Sequence, residues 1–492
     1  MTPSANSSRF DISALSDPRK PIVREALRSI GLDVRDTDFT VNVKLQKGGG
    51  VSGLFEEALL KHPKVNFFEP KLESMVGLCR RWAKLTELAR DKFAEIASQK
   101  KPVVRTMGQS ASLFRRMAEL RQASERSRYT VISMFAGGGG SSLGHLAAGG
   151  KVVLANEFVP EAAETYRRNF TGTFVDTRDI RELLKDEAGL LALLRGLDVD
   201  VRNIDVLDGS PPCSEFSVAG RGIADPTIMK NYSDTKQRDI SGLPIDFALF
   251  ALLIRPRVVV MENVPSLVTR GKAILAAIAS VLGEQYFVSW VVLNANDFGV
   301  AQARRRLFFI AVRKDVGSVI GINSNFDVHR AFPNRTFMHE TIRTAFADLD
   351  QTADDVRPWI YSARQTGLER AIVTLPKNPN RLTRPVQFDG EKRRNFTLTR
   401  CSWDLPAPTL TVTAQQPSGL AGAIHPDQDR KFTIPELKRL TGLPDDFQLS
   451  GTVAQAAERI CRMVPPPMTQ AIAESVYERV LEPYRKAIHE EG

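Results

Sequence analysis

The feature that most constrains the fold begins at Tyr129, where short apolar runs start to alternate with helical stretches. Apolar runs separated by helices are typical of a parallel sheet, because crossover helices cover both of its faces. The sequence therefore predicts an α/β fold with a doubly wound, Rossmann-like sheet. The predicted strands are residues 129–135, 151–155, 172–175, 204–208, 257–261, 287–293 and 306–312.

The chain of 492 residues is too long for one hydrophobic core, so we expect more than one domain. Residues 1–127 are predicted to form an N-terminal extension whose role the sequence does not reveal. Residues 128–313 are predicted to form the catalytic, cofactor-binding domain, completed by helices of about 452–485. The alternation of strands and helices stops after residue 313, and residues 314–451 are assigned to a smaller domain.

Charge and cysteine content narrow the class of protein. The net charge is +10, and residues 377–400 alone carry 7 Lys/Arg against 2 Asp/Glu, so a polyanion is an expected partner. No apolar run of 18 residues and no signal peptide are found, so we expect a cytoplasmic protein without a membrane span. Four cysteines without paired spacing predict neither a disulfide framework nor a metal site.

A glycine cluster marks the expected cofactor site. Gly137–Gly140 follow the first predicted strand and precede a helix, which is where α/β sheets bind ligands. Glu157 follows the second strand and could accept hydrogen bonds from ribose hydroxyls, while Asp179 follows the third and could meet a nucleobase. The pattern fits a dinucleotide or another adenosine-bearing cofactor, and a tight packing turn is the alternative.

A stiff loop after the fourth predicted strand ends on a cysteine. Pro211 and Pro212 fix two backbone φ angles, so Cys213 lies on a loop of restricted shape. Such a loop suits a nucleophilic thiol, whereas the alternative is a small apolar core residue.

Charged groups that could support this thiol follow two later strands. Glu262 directly follows the strand 257–261, and it would lie beside the cysteine loop if this strand and the strand 204–208 are neighbours. Arg304 and Arg306 precede the last strand, where their guanidinium groups could hold an electron-rich ring or a phosphate. The sequence thus predicts that a cysteine, a glutamate and arginines converge.

The order and wording of these motifs resemble the cytosine carbon-5 DNA methyltransferase family over about residues 129–484. The matching segments are Phe135-Ala136-Gly137-Gly138-Gly139-Gly140, Pro211-Pro212-Cys213, Glu262-Asn263-Val264, Gln302-x-Arg304-x-Arg306, Trp403-Asp404-x-Pro406-x-Pro408-Thr409, Phe432-Thr433-x-x-Glu436-Leu437 and Val464-Pro465-Pro466.

The resemblance implies a reaction and a cofactor. Cys213 would add to carbon 6 of cytosine, and carbon 5 would then take a methyl group from S-adenosylmethionine. Glu262 would hold or protonate ring nitrogen 3, and Arg304 and Arg306 would position the cysteine and the base. The cofactor contacts implied by the family are Phe135, Gly137, Gly139, Gly140, Glu157, Asp179 and Pro211.

The resemblance also implies a duplex DNA substrate, from which the base is flipped into the pocket. Sequence choice would belong to the smaller domain, which then acts as a target-recognition domain, and a cognate restriction endonuclease would be a partner in a modification system. The expected DNA contacts are Gln302, Arg381, Arg384, Arg393 and Arg394.

Two departures from the family pattern leave alternatives open. Cys461 and Arg462 stand where the family usually has Gly and Asn, and Ser214 replaces a frequent Gln. The change at 461 and 462 leaves a catalytically silent DNA-binding relative and an enzyme with an unusual methyl donor as hypotheses beside the DNA methyltransferase. A relative acting on tRNA is a further hypothesis, because such relatives share the same motifs.

Overall fold

A computed structural model was analysed, and the structure describes most of the chain beyond residue 115. The described residues are 7–11, 40–44, 116–212, 230–231, 236–237, 240, 242–335, 340–356, 375–380, 382, 398–411 and 422–490. Cys213 and the four predicted DNA-contacting arginines 381, 384, 393 and 394 lie outside them.

The chain divides into two compact units. One comprises Met1–Arg105 together with Ser324–His329, and the other comprises Thr106–Asn323 together with Arg330–Gly492. Within the first unit, strands β1 (Ser7–Asp11) and β2 (Thr40–Lys44) pair antiparallel. Everything described below belongs to the second unit. The predicted division into an extension, a catalytic domain and a recognition domain stays a prediction.

A seven-stranded sheet forms the centre of the second unit. Its strands are β3 (Tyr129–Met134), β4 (Gly150–Asn156), β5 (Phe174–Asp176), β6 (Val206–Gly209), β9 (Val258–Asn263), β10 (Tyr286–Asn294) and β12 (Arg305–Arg313). Shorter strands lie outside this sheet: β7 (Lys230–Asn231), β8 (Lys236–Gln237), β11 (Gln302–Ala303), β13 (Leu398–Arg400), β14 (Ala407–Pro408) and β15 (Gly422–Ile424).

The helices of the second unit connect and cover these strands. In chain order they are α1 (Met117–Ser124), α2 (Gly140–Ala147), α3 (Pro160–Asn169), α4 (Ile180–Lys185), α5 (Glu187–Gly196), α6 (Leu243–Ile254), α7 (Lys272–Gly283), α8 (Lys314–Val319), α9 (Ile342–Phe346), α10 (Ala353–Val356), α11 (Ile434–Thr441), α12 (Val453–Arg462), α13 (Pro466–Val476) and α14 (Glu482–Glu490). A π-helical turn, Tyr477–Leu481, joins the last two.

The order of the strands explains where a ligand can bind. The sheet runs β10-β12-β9-β6-β3-β4-β5, and only β12 within it is antiparallel to its neighbours. All seven predicted strands are confirmed within a few residues. The chain moves outward from β3 in one direction and from β6 in the other, so the switch point lies between these two strands. Ligands of open α/β sheets bind there, at the carboxyl ends.

Burial on both faces holds the sheet together. Helix α6 is apolar apart from Asp246 in its first turn, and Phe247 and Phe250 from it are fully buried in a cluster that also contains Leu207 of β6 and Met261 of β9. The other face is covered by α2, which packs along α13. The C-terminal helices therefore complete the fold begun at β3.

The helix α1 is fixed to the same unit by a distant carboxylate. Asp446 Oδ1 accepts a hydrogen bond of 2.8 Å from the Met117 backbone N–H, which caps the amino end of α1. Met117 and Leu120 are buried on the inner side of this helix. No helix among the described residues is long and apolar enough to cross a lipid bilayer.

Candidate active site

The loop between β3 and α2 has an unusual backbone. Phe135, Gly137 and Gly139 have φ angles of 51°, 56° and 98°. A side chain on Gly139 would meet the rings of Phe170 and Tyr166, whereas a Cβ on Gly137 would have no neighbour within 4 Å. The loop is therefore closely packed on the protein at Gly139 but open at Gly137, as a ligand-binding backbone requires.

Glu157, immediately after β4, fixes this open part of the loop. Its Oε2 accepts a 2.8 Å hydrogen bond from Gly137 N–H, and its Oε1 accepts one of 2.7 Å from Val159 N–H. The side chain is only 8% exposed, and burial raises its pKa although both backbone bonds oppose the change. A carboxylate oxygen can accept more than one hydrogen bond, so Glu157 can also receive a ligand hydroxyl.

The segment that departs from the family pattern lies beside this loop. Met463 occupies the space into which side chains on Gly138 and Gly140 would project. Arg462 donates a 2.9 Å hydrogen bond to Glu458, and its charge acts with that of Arg459 to lower the pKa of Glu157. The replacements at 461 and 462 therefore border the predicted cofactor site.

Phe135 and Asp179 come after β3 and β5, the two strands on either side of β4, at the carboxyl edge of the sheet. Asp179 Oδ1 accepts a 3.0 Å hydrogen bond from Arg181 N–H and so caps helix α4. The ring of Phe135 packs against Phe247, with centroids 6.5 Å apart. Phe135 directly follows β3 at the start of the glycine loop, and Asp179 lies three residues after β5, which is separated from β3 by β4.

The predicted nucleophile loop begins at the end of β6, next to β3. Asn263, the last residue of β9, donates a 3.2 Å hydrogen bond from Nδ2 to the Pro211 carbonyl. Its Oδ1 accepts a 2.9 Å bond from Val264 N–H. Asn263 thus holds the base of the loop that carries Cys213 against β9, which is a role that the sequence analysis did not assign. The position of Asn263 in the Glu262-Asn263-Val264 motif was the sequence feature from which this role could have been predicted.

Glu262 lies on β9 beside this loop, as predicted. Its Oε1 is 2.8 Å from Arg306 Nε, and its carboxyl group is also hydrogen-bonded to the side chain of Ser210. Burial raises the pKa of Glu262, whereas the charges of Arg306 and Arg304 lower it. The carboxyl group is therefore held in a fixed position, and its burial favours the protonated form.

Arg304 is buried and connects two distant segments of backbone. Its Nη1 donates to the carbonyls of Leu410 at 3.3 Å and of Cys461 at 2.8 Å. Arg304 and Arg306 therefore have different surroundings: Arg306 contacts the carboxyl group directly, and Arg304 acts on it through its charge while holding neighbouring chain segments. The Cys461 thiol is buried, which raises its pKa to about 12.

Gln302 has a different environment from the one predicted. It is fully buried, its Nε2 donates to the Leu440 carbonyl at 3.2 Å, and its Oε1 accepts from Leu410 N–H at 3.2 Å. This burial argues against the prediction that Gln302 contacts DNA. The amide instead joins the start of β11 to Leu410, just after β14, and to α11.

No group of three His, Cys, Asp or Glu side chains that could hold a metal ion is found in the part of the chain that the structure describes. The site at the carboxyl edge has two parts. One is the glycine loop with Glu157, and the other is the loop leading to Cys213 with Glu262, Arg304 and Arg306 beside it.

Comparison with known proteins gives this arrangement its family. The profile of the C-5 cytosine-specific DNA methylase family matches residues 129–478, which is most of the chain. The chain belongs to that family. This methylase is accordingly a DNA (cytosine-5-)-methyltransferase, and its family uses S-adenosylmethionine.

Relatives of the methylase span most of its length. It is 30% identical over 356 residues to the type II methyltransferase M1.HphI of Haemophilus parahaemolyticus, covering 70% of this chain and 86% of the relative. It is 32% identical over 404 residues to the type II methyltransferase M.DdeI of Desulfomicrobium norvegicum, covering 70% and 88%.

One solved structure supports the fold. A chain described as a DNA modification methyltransferase encoded within a prophage (E. coli) superimposes with a TM-score of 0.50 at 23% identity, covering 72% of this methylase and 99% of that chain. At this identity the likeness shows the shared fold alone.

Proposed function

We propose that the methylase transfers a methyl group from S-adenosylmethionine to carbon 5 of cytosine in a specific duplex DNA sequence, through a covalent adduct with Cys213. The observation that carries the proposal is the position of Glu262. Its carboxyl group is held by Arg306 and Ser210 beside the loop that leads from Pro211 to Cys213.

The chemistry needs both groups. Carbon 5 of cytosine is a poor nucleophile until the Cys213 thiolate adds to carbon 6 and breaks the aromaticity of the ring. Glu262 holds a proton at ring nitrogen 3, which neutralises the charge that develops as the thiolate adds. Carbon 5 would then attack the methyl group, breaking its bond to sulfur and leaving S-adenosylhomocysteine. Loss of the carbon-5 proton to a base and elimination of Cys213 as a thiolate would restore the aromatic ring.

The residues around the glycine loop suit the donor. Glu157 would accept a hydrogen bond from a ribose hydroxyl, Asp179 would meet the adenine, and the open backbone at Gly137 would let the ligand approach closely. Phe135, Gly139, Gly140 and Pro211 complete the proposed lining. When bound, S-adenosylmethionine supplies an electrophilic methyl group at a sulfonium centre.

The substrate is duplex DNA, and the target base is flipped into the site at a cost of a few kcal/mol. Contacts from the recognition domain offset that cost, with Arg381, Arg384, Arg393 and Arg394 proposed among them. The similarity to type II methyltransferases supports a role in a modification system. For that role we propose a cytoplasmic, nucleoid-associated location and a cognate restriction endonuclease as partner.

The test is incubation of the pure protein with unmethylated genomic DNA and radiolabelled S-adenosylmethionine, followed by nucleoside analysis and bisulfite sequencing. We expect labelled 5-methylcytosine at one short motif. Cys213→Ser should abolish transfer, while Cys79→Ser serves as the matched control and should retain it. Equal transfer by Cys213→Ser would disprove the covalent route.

Two further arms separate the remaining hypotheses. Transfer to bulk tRNA but not to duplex DNA would identify a tRNA enzyme. Tight DNA binding without transfer to either substrate would identify a silent relative or a different donor.

A further inference from the structure

The end of strand β4 connects two loops at the carboxyl edge of the sheet. β4 lies between β3 and β5, and Asn156 is its last residue. The Asn156 carbonyl accepts a 3.0 Å hydrogen bond from Ala136 N–H at the start of the glycine loop. Glu157 N–H donates one of 3.0 Å to the Asp176 carbonyl at the end of β5. Two consecutive residues therefore hold the loops on both sides of β4.

The side chain of Asn156 reaches the loop that follows β5. Asn156 is 2% exposed, and its Nδ2 donates to the Arg178 carbonyl at 2.9 Å and to the Asp176 carbonyl at 3.3 Å. Backbone carbonyls only accept hydrogen bonds, so these two partners require the NH₂ group on this side of the amide. The orientation of the Asn156 amide, and with it the direction of both bonds, is therefore fixed.

The bond to Arg178 acts on a peptide group that includes Asp179. The carbonyl of Arg178 and the N–H of Asp179 belong to one planar unit, so a hydrogen bond that holds the carbonyl oxygen also restricts rotation of that plane. Within the loop, the backbone N–H and the guanidinium group of Arg178 donate to the Asp176 carboxylate at 2.6–3.1 Å. The backbone from which the Asp179 side chain projects is thereby tied to the sheet.

Asp179 has hydrogen-bonding capacity beyond its capping role. Its Oδ1 accepts a 3.0 Å hydrogen bond from Arg181 N–H, and each oxygen of an ionised carboxylate can accept more than one bond. Adenine offers an exocyclic amino group as a donor, whereas its ring nitrogens accept. A carboxylate that meets adenine therefore selects its amino group.

Building on the donor site proposed above, we propose that Asn156 is a positioning residue for Asp179. Its side-chain amide holds the Arg178–Asp179 peptide group so that the Asp179 carboxylate meets the amino group of adenine. Asn156 thereby sets the selectivity for adenine over a purine that lacks this amino group. A side chain that only stabilised the sheet would affect the binding of both purines equally.

The test compares the binding of two ligands by calorimetry. They are S-adenosylhomocysteine and S-inosylhomocysteine, whose purine has a carbonyl oxygen in place of the amino group. Wild type should bind the adenosyl compound roughly 10- to 100-fold more tightly, because the inosyl compound loses a hydrogen bond to a charged group. Asn156→Ala should reduce this ratio by about fivefold, mainly through weaker binding of the adenosyl compound, which corresponds to one hydrogen bond of ordinary net strength.

Thr173→Ala is the matched control. Thr173 Oγ1 donates a 2.9 Å hydrogen bond to the Val152 carbonyl, so it also joins β4 to the β5 segment, but at the other end of these strands. This variant should leave the ratio unchanged. If circular dichroism shows that Asn156→Ala does not fold, Asn156→Asp takes its place, because it fills the same space with a carboxylate that cannot donate.

A double-mutant cycle shows whether Asn156 acts through Asp179. Asp179→Ala should lower the ratio, and adding Asn156→Ala to it should lower the ratio no further. Equal affinity of wild type for the two ligands, an unchanged ratio in Asn156→Ala, or additive losses in the double variant would overturn the proposal while the donor site stands. Failure of wild type to bind either ligand would instead disprove the donor site, and the inference with it.

Discussion

Residues at the glycine loop contribute both to packing and to the proposed binding of the donor. Glu157 accepts hydrogen bonds from two backbone N–H groups at once, one at each carboxylate oxygen. Gly137 and Gly139 both have left-handed φ angles, yet only Gly139 is enclosed by aromatic rings. Substitutions at these positions should therefore separate stability from donor binding.

Glu157→Gln replaces one acceptor oxygen by an NH₂ group that faces a backbone N–H. We expect a loss of about 1–3 kcal/mol in the free energy of unfolding, because a buried donor is left without an acceptor, together with weaker binding of S-adenosylhomocysteine. Urea denaturation and calorimetry measure the two effects. Glu164→Gln, at an exposed pair with Arg168, is the control and should change stability by less than about 0.5 kcal/mol. Equal stability of the two variants would contradict the role given to Glu157.

Gly137→Ala and Gly139→Ala form a matched pair. Each places a Cβ in a left-handed conformation, which costs roughly 1–2 kcal/mol. Gly139→Ala should cost more than this because the Cβ meets the rings of Phe170 and Tyr166. Gly137→Ala should cost no more than the backbone strain but should weaken binding of S-adenosylhomocysteine. The same denaturation series checks the order, and a more stable Gly139→Ala than Gly137→Ala would refute it.

At the scale of elements, the strands could be predicted from sequence because each buried strand is a nearly continuous apolar run bounded by polar residues. Pairings between distant segments could not be predicted in this way. The burial of Gln302 depends on the carbonyl of Leu440, and the contact between His145 and Asp208 depends on how α2 lies over β6. Local patterns contain no information on such contacts.

For Glu262, the sequence motif predicted the position of the residue but not its contacts. Its sequence position predicted a carboxyl group at a strand end, and the structure places it there. Its hydrogen bond with Ser210 and the bond from Asn263 to Pro211 arise only when β6 and β9 are neighbours. Cys213 lies outside the described residues, so its geometry stays a prediction.

The capped start of α1 gives a prediction about one element. Asp446→Ala removes the only side-chain cap that the described residues provide for Met117 N–H, and should cost about 1 kcal/mol. Asp446→Asn keeps an acceptor oxygen and should restore most of the stability. Thermal or chemical unfolding of the two variants provides the comparison. Identical losses in both would show that the cap does not stabilise α1.

For the whole molecule, the net charge of +10 predicts strongly salt-dependent binding to DNA. The slope of log K, the DNA-binding constant, against log salt is negative. If Arg393 and Arg394 each contact a phosphate, the double Gln variant should make this slope less steep by about 0.9 per contact. Fluorescence anisotropy at several salt concentrations measures that slope. Arg168→Gln, an exposed arginine paired with Glu164, is the control. A slope equal to that of wild type would remove both residues from the interface.

The contact between Met463 and the glycines of the β3–α2 loop also sets the timing of assembly in the cell. The ribosome releases Met463 about 325 residues after Gly138, which is roughly 15–65 s later at ordinary elongation rates. Helix α13, which packs on α2, is synthesised after a similar delay. Each nascent chain therefore keeps the proposed donor site incomplete, with apolar surface exposed to chaperones, until its last helices emerge.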